Sequence, residues 1–398
     1  MILVDISHTS HTRARTGIQR VARSLVRELE TDARGAAVTW DPHERQWRRL
    51  DSWERANLSE EGAGHSRGAR WPLGAKLRGQ WRRISKGGPG LPEAGMKATG
   101  IIFPELFSPA VSEVSIQLRS RSEGPAIALF HDAIALKRPA MFPRKTVARF
   151  PGYLQELAHF DGVAAVSEDS RRALSDYWDW LGLKDRPPLV SIPLGIDAPA
   201  LDPSGTNQTL KQDKAGSGPE ILCLCTIEGR KNHLALLEAC EALWRLGHPF
   251  SLHLAGMARP ESAAAALKRI AELQATGRPI RHSGPVNEAE LEQCYAQCAL
   301  TIYPSLEEGY GLPVVESLIR GKPCVCSGAG ALGEISRAGG CLTLGELDAG
   351  NIAAALGHLL STPALLEQLK REAVARRFKS WSNYSAELVA WMAGLRRR

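Results

Sequence analysis

Short apolar runs alternate with helix-length segments along this chain, and the scheme runs twice, once on each side of a polar stretch at 198–220. That alternation is the pattern of parallel strands joined by crossover helices. In the first pass "ILVDIS" is followed by a loop to Gly17 and then "IQRVARSLVRELE", where Ile18, Val21, Ala22, Leu25 and Leu29 recur at helical spacing. The runs "AIALFHD" (126–132), "GVAAVSE" (162–168) and "LVSIPLG" (189–195) continue it. The second pass opens with "ILCLCTI" and proceeds through "FSLHLAG", "ALTIYPS" and "PCVCSG". A chain of 398 residues is long enough for two domains, each with its own core. The expected fold is α/β, two Rossmann-like domains with parallel sheets facing across a cleft, in which the first spans 1–197, a linker spans 198–220 and the second begins at 221. A cleft of that kind is a natural ligand site.

Composition narrows the class. Hydrophobic residues make up 43% and charged residues 23%, and no run approaches the roughly 18 apolar residues of a membrane span. "MILVDIS" lacks the basic start and cleavage site of a signal peptide, so a cytoplasmic protein is expected. The net charge of +7 suits nucleic acid, anionic lipid or phosphate-bearing small molecules alike. Residues 41–98 break the alternation, with Trp47, Trp53, Trp71 and Trp81 among many arginines. They read either as an irregular surface insertion or as a basic, indole-bearing face for an anionic membrane surface, on the inner side of the cell membrane. The eight cysteines all lie between Cys223 and Cys341. They read as reduced, buried thiols, because no CxxC pair or clustered histidine gives zinc spacing; no metal is expected.

Two strand-to-helix junctions in the second half carry chemistry. In "ILCLCTIEGRKNHLALLEACEALWRLG" an apolar strand ends, Arg230 and Lys231 follow, and a helix starts near Asn232. Two cations beside the free N–H groups of a helix start suit a diphosphate; the plain alternative is a solvated basic turn. In "EEGYGLPVVESLIRGKP" Gly309 and Gly311 permit close backbone approach, and Pro313 suits the first turn of a helix that Gly321 ends. Glu308 falls in the loop and Glu316 in the first helical turn. These carboxylates suit sugar or ribose hydroxyls, or else compensate the helix dipole.

At these residues the chain resembles glycosyltransferase family 4, a retaining family of GT-B fold whose E-x7-E element matches Glu308 to Glu316. The resemblance extends to "TGIQR" (16–20), "FHD" (130–132), "AVSEDSRRAL", "PLGID", "EGRKN", "SGPVNEAEL" and the closing "FKSWSNYSAELVAWM". It implies a donor domain at 221–380 and a terminal helix at 381–398 that crosses back to the N-terminal, acceptor-binding domain. It implies that Arg230 and Lys231 hold the diphosphate and stabilise its departure, that Glu316 holds the ribose, and that Val286 lies beside the base. Glu308 with Gly309, Tyr310, Gly311 and Leu312 would hold the transferred sugar. Gly17 and Arg20 would face the phosphates, and His131 with Asp132 the anomeric centre. A histidine at a strand end is otherwise an ordinary structural residue.

The "EGYGLP" form is similar to that of mannosyl- and rhamnosyltransferases. It implies GDP-mannose as donor, a co-substrate rather than a cofactor, and a glycan or lipid-linked glycan of cell-surface polysaccharide as acceptor. No D-x-D triplet occurs, so no catalytic metal is expected. The nearest competitor is a sugar-nucleotide epimerase of the same fold. "GAGALG" (328–333) satisfies the dinucleotide pattern but comes late in its domain, which disfavours an NAD-dependent oxidoreductase. No zinc-finger, RRM or basic-zipper pattern supports nucleic-acid binding.

Overall fold

A computed structural model of the chain describes residues 1–13, 17–59, 71–85, 98–105, 109–197 and 218–398. The linker expected at 198–220 therefore lies outside the described residues up to position 217. The chain divides into a first unit, Met1–Gly195 with Lys379–Arg398, and a second, Ile196–Phe378. The division falls two residues before the composition shift, because Ile196 is buried with Tyr303, Val314 and Leu318 of the second unit.

In the first unit the described strands are β1 (Ile2–Asp5), β2 (Gly35–Asp41), β3 (Gln46–Arg49), β4 (Gly100–Phe103), β5 (Ala126–Phe130), β6 (Gly162–Ala165) and β7 (Leu189–Ser191). They form one sheet in the order β3-β2-β1-β4-β5-β6-β7, parallel throughout except for the β2–β3 pair. Every residue of β1, β4, β5 and β6 is buried. Such strands read as unbroken apolar runs because helices cover both faces of the sheet. The helix Trp381–Ala393 completes this unit. Glycines make room for it: a Cβ at Gly162 would stand 2.8 Å from the Trp391 ring, and one at Gly100 2.8 Å from the Met392 methyl.

The second unit holds β8 (Glu220–Leu224), β9 (Ser251–Ala255), β10 (Ile280–His282), β11 (Leu300–Tyr303), β12 (Cys324–Ser327) and β13 (Cys341–Leu344), ordered β10-β9-β8-β11-β12-β13 and all parallel. In each unit the strand order reverses beside its first strand, at β1/β4 and at β8/β11. Ligands of open parallel sheets bind beyond the carboxyl ends of the strands at such a reversal.

The described part of 41–98 is not irregular. It contains β3 and the helices Ser52–Leu58 and Leu73–Ser85. Trp47 is buried in the core, and Trp53 and Trp71 stack about His11. The second of these helices packs through Ala75 and Gly79, the latter against His43, while Leu73, Leu77, Trp81 and Ile84 lie exposed on it. Its apolar stripe has helical spacing but faces away from the core, and interleaved arginines mask the period in sequence.

Leu388, fully buried under the terminal helix, tests the union of that helix with the first unit. Leu388→Ala is expected to cost about 2–5 kcal/mol, read as a lowered denaturation midpoint with the fold retained.

Candidate active site

After β8 the chain makes one tight turn, Gly229–Lys231, passes through Asn232 in a left-handed conformation (φ 56°), and enters the helix His233–Arg245. Leu236, Leu237, Cys240, Leu243 and Trp244 are buried on that helix, and the Asn232 amide donates to the Leu347 carbonyl at 2.6 Å. The turn is thus held from both sides. Its two cations do not point into solvent, so the solvated basic turn is ruled out. Arg230 donates from Nε to Glu228 at 2.8 Å and from Nη1 to Glu308 at 3.0 Å, while Lys231, itself buried, donates to the other Glu308 oxygen. Arg259 reaches the second oxygen of Glu228 at 3.0 Å. The backbone joins in, Leu306 N–H donating to the Arg230 carbonyl at 2.9 Å.

Arg230, Lys231 and Arg259 against Glu228 and Glu308 leave one net positive charge. Burial pushes the Glu308 carboxyl up, but Lys231 and Arg230 outweigh it and hold it down to about 2. Lys231 also lies over the Tyr303 ring, 5.5 Å from its centre. These groups occupy the β8/β11 reversal, Arg230 and Lys231 following β8 and Glu308 following β11. Such an arrangement can offer fixed positive charge to an anion.

The glycine-rich junction is built around Gly311. Its φ of +114° and a would-be Cβ only 2.5 Å from Leu332 admit no side chain there. The helix Leu312–Ile319 follows with Pro313 in its first turn. Gly321 (φ +68°) ends it through paired bonds, Gly321 N–H to Leu318 O and Lys322 N–H to Ser317 O. Glu316 is the fifth helical residue, in the second turn rather than the first, so dipole compensation does not account for it. It is buried, and the Tyr295 hydroxyl donates to it at 3.4 Å. Leu312 is buried, and Tyr310 packs against the cluster of Val314, Leu318 and Leu332, where burial pushes its hydroxyl up to about 12. Gly309 lies in the loop between Glu308 and Tyr310. A small hollow runs from Ser305, Glu307 and Glu308 to Ser327, Gly330 and Leu332. Val286 packs with Leu224 on Leu222, Ala255 and Tyr295, one residue before the Asn287–Glu290 capping box.

In the first unit His131 follows β5, buried, with Nε2 at 2.7 Å from the Pro104 carbonyl and burial pushing its pKa down. The imidazole is a partnered, neutral group. Asp132 accepts from Ile134 N–H at 3.0 Å and so starts a short helix. Gly17 opens the helix Gly17–Thr31 with open space where a Cβ would stand, and Arg20 lies half-buried on the same helix. Thr16 of "TGIQR" lies outside the described residues. The structure gathers Arg230, Lys231 and Glu308, while Gly17, Arg20, His131 and Asp132 belong to the other unit.

Sequence reasoning missed Glu228 and Arg259, which complete the charge cluster, and Glu105, which sits at the β1/β4 reversal and accepts from His8 N–H, Thr9 N–H and the Thr9 hydroxyl. Beside it, burial pushes Asp5 up to about 7, a rise to which Glu105 adds. The available signal was a carboxylate just past a strand, in "IIFPE". "GAGALG" follows β12 rather than the first strand of its sheet; a Cβ at Gly333 would strike the Gly328 carbonyl at 2.2 Å, so Gly333 serves local packing, while Gly330 lines the hollow beside Glu308.

Removing the Glu308 charge leaves two cations without their shared partner. Glu308→Gln is expected to cost about 3–5 kcal/mol at pH 7. Glu308 ionises near 2 in the fold against 4.5 ordinarily. Its contribution is therefore complete above pH 4.5 and lost as pH falls toward 2, and the two proteins' denaturation midpoints converge across that window.

Residues 206–376 match the family described as "Glycosyl transferases group 1". The chain is 27% identical over 340 residues to the serotype-specific mannosyltransferase WbdA of Escherichia coli, covering 81% of this chain but 38% of that protein; it spans well under half the length of that relative. It is 25% identical over 308 residues to the GDP-mannose-dependent alpha-(1-6)-phosphatidylinositol dimannoside mannosyltransferase of Mycobacterium tuberculosis, covering 73% of this chain and 75% of that one. Among solved structures, Anabaena Alr3699/HepE in complex with UDP superposes with a TM-score of 0.67 at 16% identity over 99% of both chains, a likeness of fold. With two parallel α/β units of this order, the chain has the GT-B fold, and its segment 206–376, which holds both the charged turn and the glycine junction, is similar to the group 1 glycosyl transferases.

Proposed function

We propose that this protein is a retaining hexosyltransferase that uses a nucleoside-diphosphate sugar, with GDP-mannose the first candidate, and glycosylates a glycan or lipid-linked glycan in cell-surface polysaccharide synthesis. The observation that carries the reading is the Arg230–Lys231–Glu308 cluster at the β8/β11 reversal. Cleavage of the bond from anomeric carbon to phosphate leaves growing negative charge on the diphosphate. Cations already held in place stabilise that charge without reorganising. The leaving phosphate then takes the acceptor's proton as attack proceeds on the same face. In this reading Glu316 binds ribose, Val286 lies by the base, and Glu308 with the Gly309–Leu312 backbone holds the sugar. Gly17 and Arg20 face the phosphates, and His131 and Asp132 the anomeric carbon. No cofactor enters the reaction. Mannose as the sugar is supported by the printed activities of the Escherichia coli and Mycobacterium tuberculosis relatives.

A peripheral site of action, on the inner face of the cell membrane, is supported by the helix Leu73–Ser85. No single described helix is long and apolar enough to cross a membrane. On this one Leu73, Leu77, Trp81 and Ile84 are exposed in a row, flanked by Lys76, Arg78, Arg82 and Arg83, of which Arg78 and Arg82 stand 3.6–4.0 Å from Glu44 and Asp51. An exposed apolar stripe with basic flanks matches an anionic bilayer surface.

Calorimetry with GDP-mannose tests the donor site. Lys231→Ala and Glu316→Ala are each expected to weaken binding at least tenfold, about 1.4 kcal/mol, and unchanged affinity in both would overturn the assignment. A thermal-shift series over nucleoside diphosphates identifies the base, since ligand at about 100 times its dissociation constant adds about 2.7 kcal/mol. For the membrane face, Leu77→Glu with Trp81→Glu is expected to release the protein from phosphatidylglycerol vesicles in sedimentation while leaving its melting temperature unchanged.

A further inference from the structure

Three soft or borderline ligand atoms meet behind the cationic turn. Cys223 lies on β8, Cys225 immediately follows the strand, and His233 opens the next helix. Residues two apart on an extended chain share a face, and the two Sγ atoms stand 3.8 Å apart. His233 Nε2 is 3.4 Å from Cys225 Sγ and 4.0 Å from Cys223 Sγ. Zinc bonds of about 2.3 Å to sulfur and about 2.0–2.1 Å to nitrogen, in tetrahedral geometry, require edges of about 3.8 Å between sulfurs and about 3.5 Å between sulfur and nitrogen. The triangle matches those edges to within about 0.5 Å.

The chemistry of the three groups agrees with the distances. His233 is buried with Nδ1 making no hydrogen bond, and Nε2 has only thiols beside it, which are weak partners for a buried imidazole. Cys225 is only half-buried, which leaves a route from solvent. The other strand thiols, Cys324, Cys326 and Cys341, have no histidine in such a group among the described residues.

We propose that Cys223, Cys225 and His233 form a site for one thiophilic divalent cation of the zinc class, which ties the end of β8 to the start of the helix His233–Arg245. The turn Gly229–Lys231 lies between those two anchors, so the cation acts as a structural clip on the segment that carries Arg230 and Lys231. It takes no part in bond cleavage. Binding replaces two thiol protons by two metal–sulfur bonds and releases those protons to solvent.

Cobalt(II) titration of the reduced full-length protein tests this, followed by absorption and by metal analysis after gel filtration. The expected result is one cobalt per chain with a thiolate-to-metal charge-transfer band and the visible bands of a tetrahedral site, displaced by one equivalent of zinc. Cys225→Ser and His233→Gln are each expected to weaken binding at least tenfold, and Cys341→Ser to leave it unchanged. Metal-free melting curves establish that each variant is folded. Absence of the charge-transfer band in the wild-type protein overturns the proposal whatever the variants do. Its persistence in a folded protein carrying both Cys223→Ser and Cys225→Ser does so as well.

Discussion

One carboxylate holds the second unit's chemistry in place. Glu308, from the loop after β11, takes Arg230 and Lys231, from the turn after β8, on its two oxygens. The turn after β8 has two bonds of its own, Lys231 N–H to Glu228 O and Asn232 N–H to Gly229 O, and the ion pairs together with the Leu306–Arg230 backbone bond lock the two loops to each other. Buried charges of this kind survive only when paired, because desolvation would otherwise drive them apart or neutralise them. Glu308 thus stays ionised far below neutrality, with the almost fully buried Lys231 against it.

The sheet explains why these two loops meet. β8 and β11 are neighbours in space although β9 and β10 intervene in sequence, and the connections leave the pair in opposite directions. The crevice at that point is lined by loop backbone and whatever side chains those loops carry. The first unit repeats the arrangement at β1/β4, where the loop after β1 is held by Glu105 instead of by an ion pair. Glycines set the tolerances around both frameworks: Gly311 lets the glycine-rich junction turn against Leu332, and Gly100 and Gly162 admit the terminal helix.

Most strands legible in sequence were buried on both faces, although the half-buried β7 was read from its run at 189–195 while the buried β2 and β4 were not. β1, β5, β6, β8, β9, β11 and β12 stand out as short apolar runs because parallel strands covered by helices carry no polar alternation. β10 and β13 were missed, since Arg281, His282 and Thr343 break their runs, and β3, the antiparallel edge strand, carries Arg48 and Arg49. The helix Leu73–Ser85 was missed for the opposite reason, its apolar stripe being turned outward and threaded with arginines. At the site, the cationic turn and the glycine junction were each visible as residue types suited to a phosphate or a sugar. Their direct ionic connection was not, because Arg230 and Glu308 are 78 residues apart.

The sequence by itself determined the fold class, the two passes of α/β structure and the identity of the charged and glycine-bearing junctions, all of which follow from local periodicity and residue chemistry. Only the tertiary structure decided that Glu308 bridges Arg230 and Lys231, that Glu316 belongs to the second helical turn, and that Cys223, Cys225 and His233 form one group. The physical reason is the same in each case. Strand order and helix docking set distances between residues that are remote in the chain or separated by a turn, and no pattern along the sequence records them.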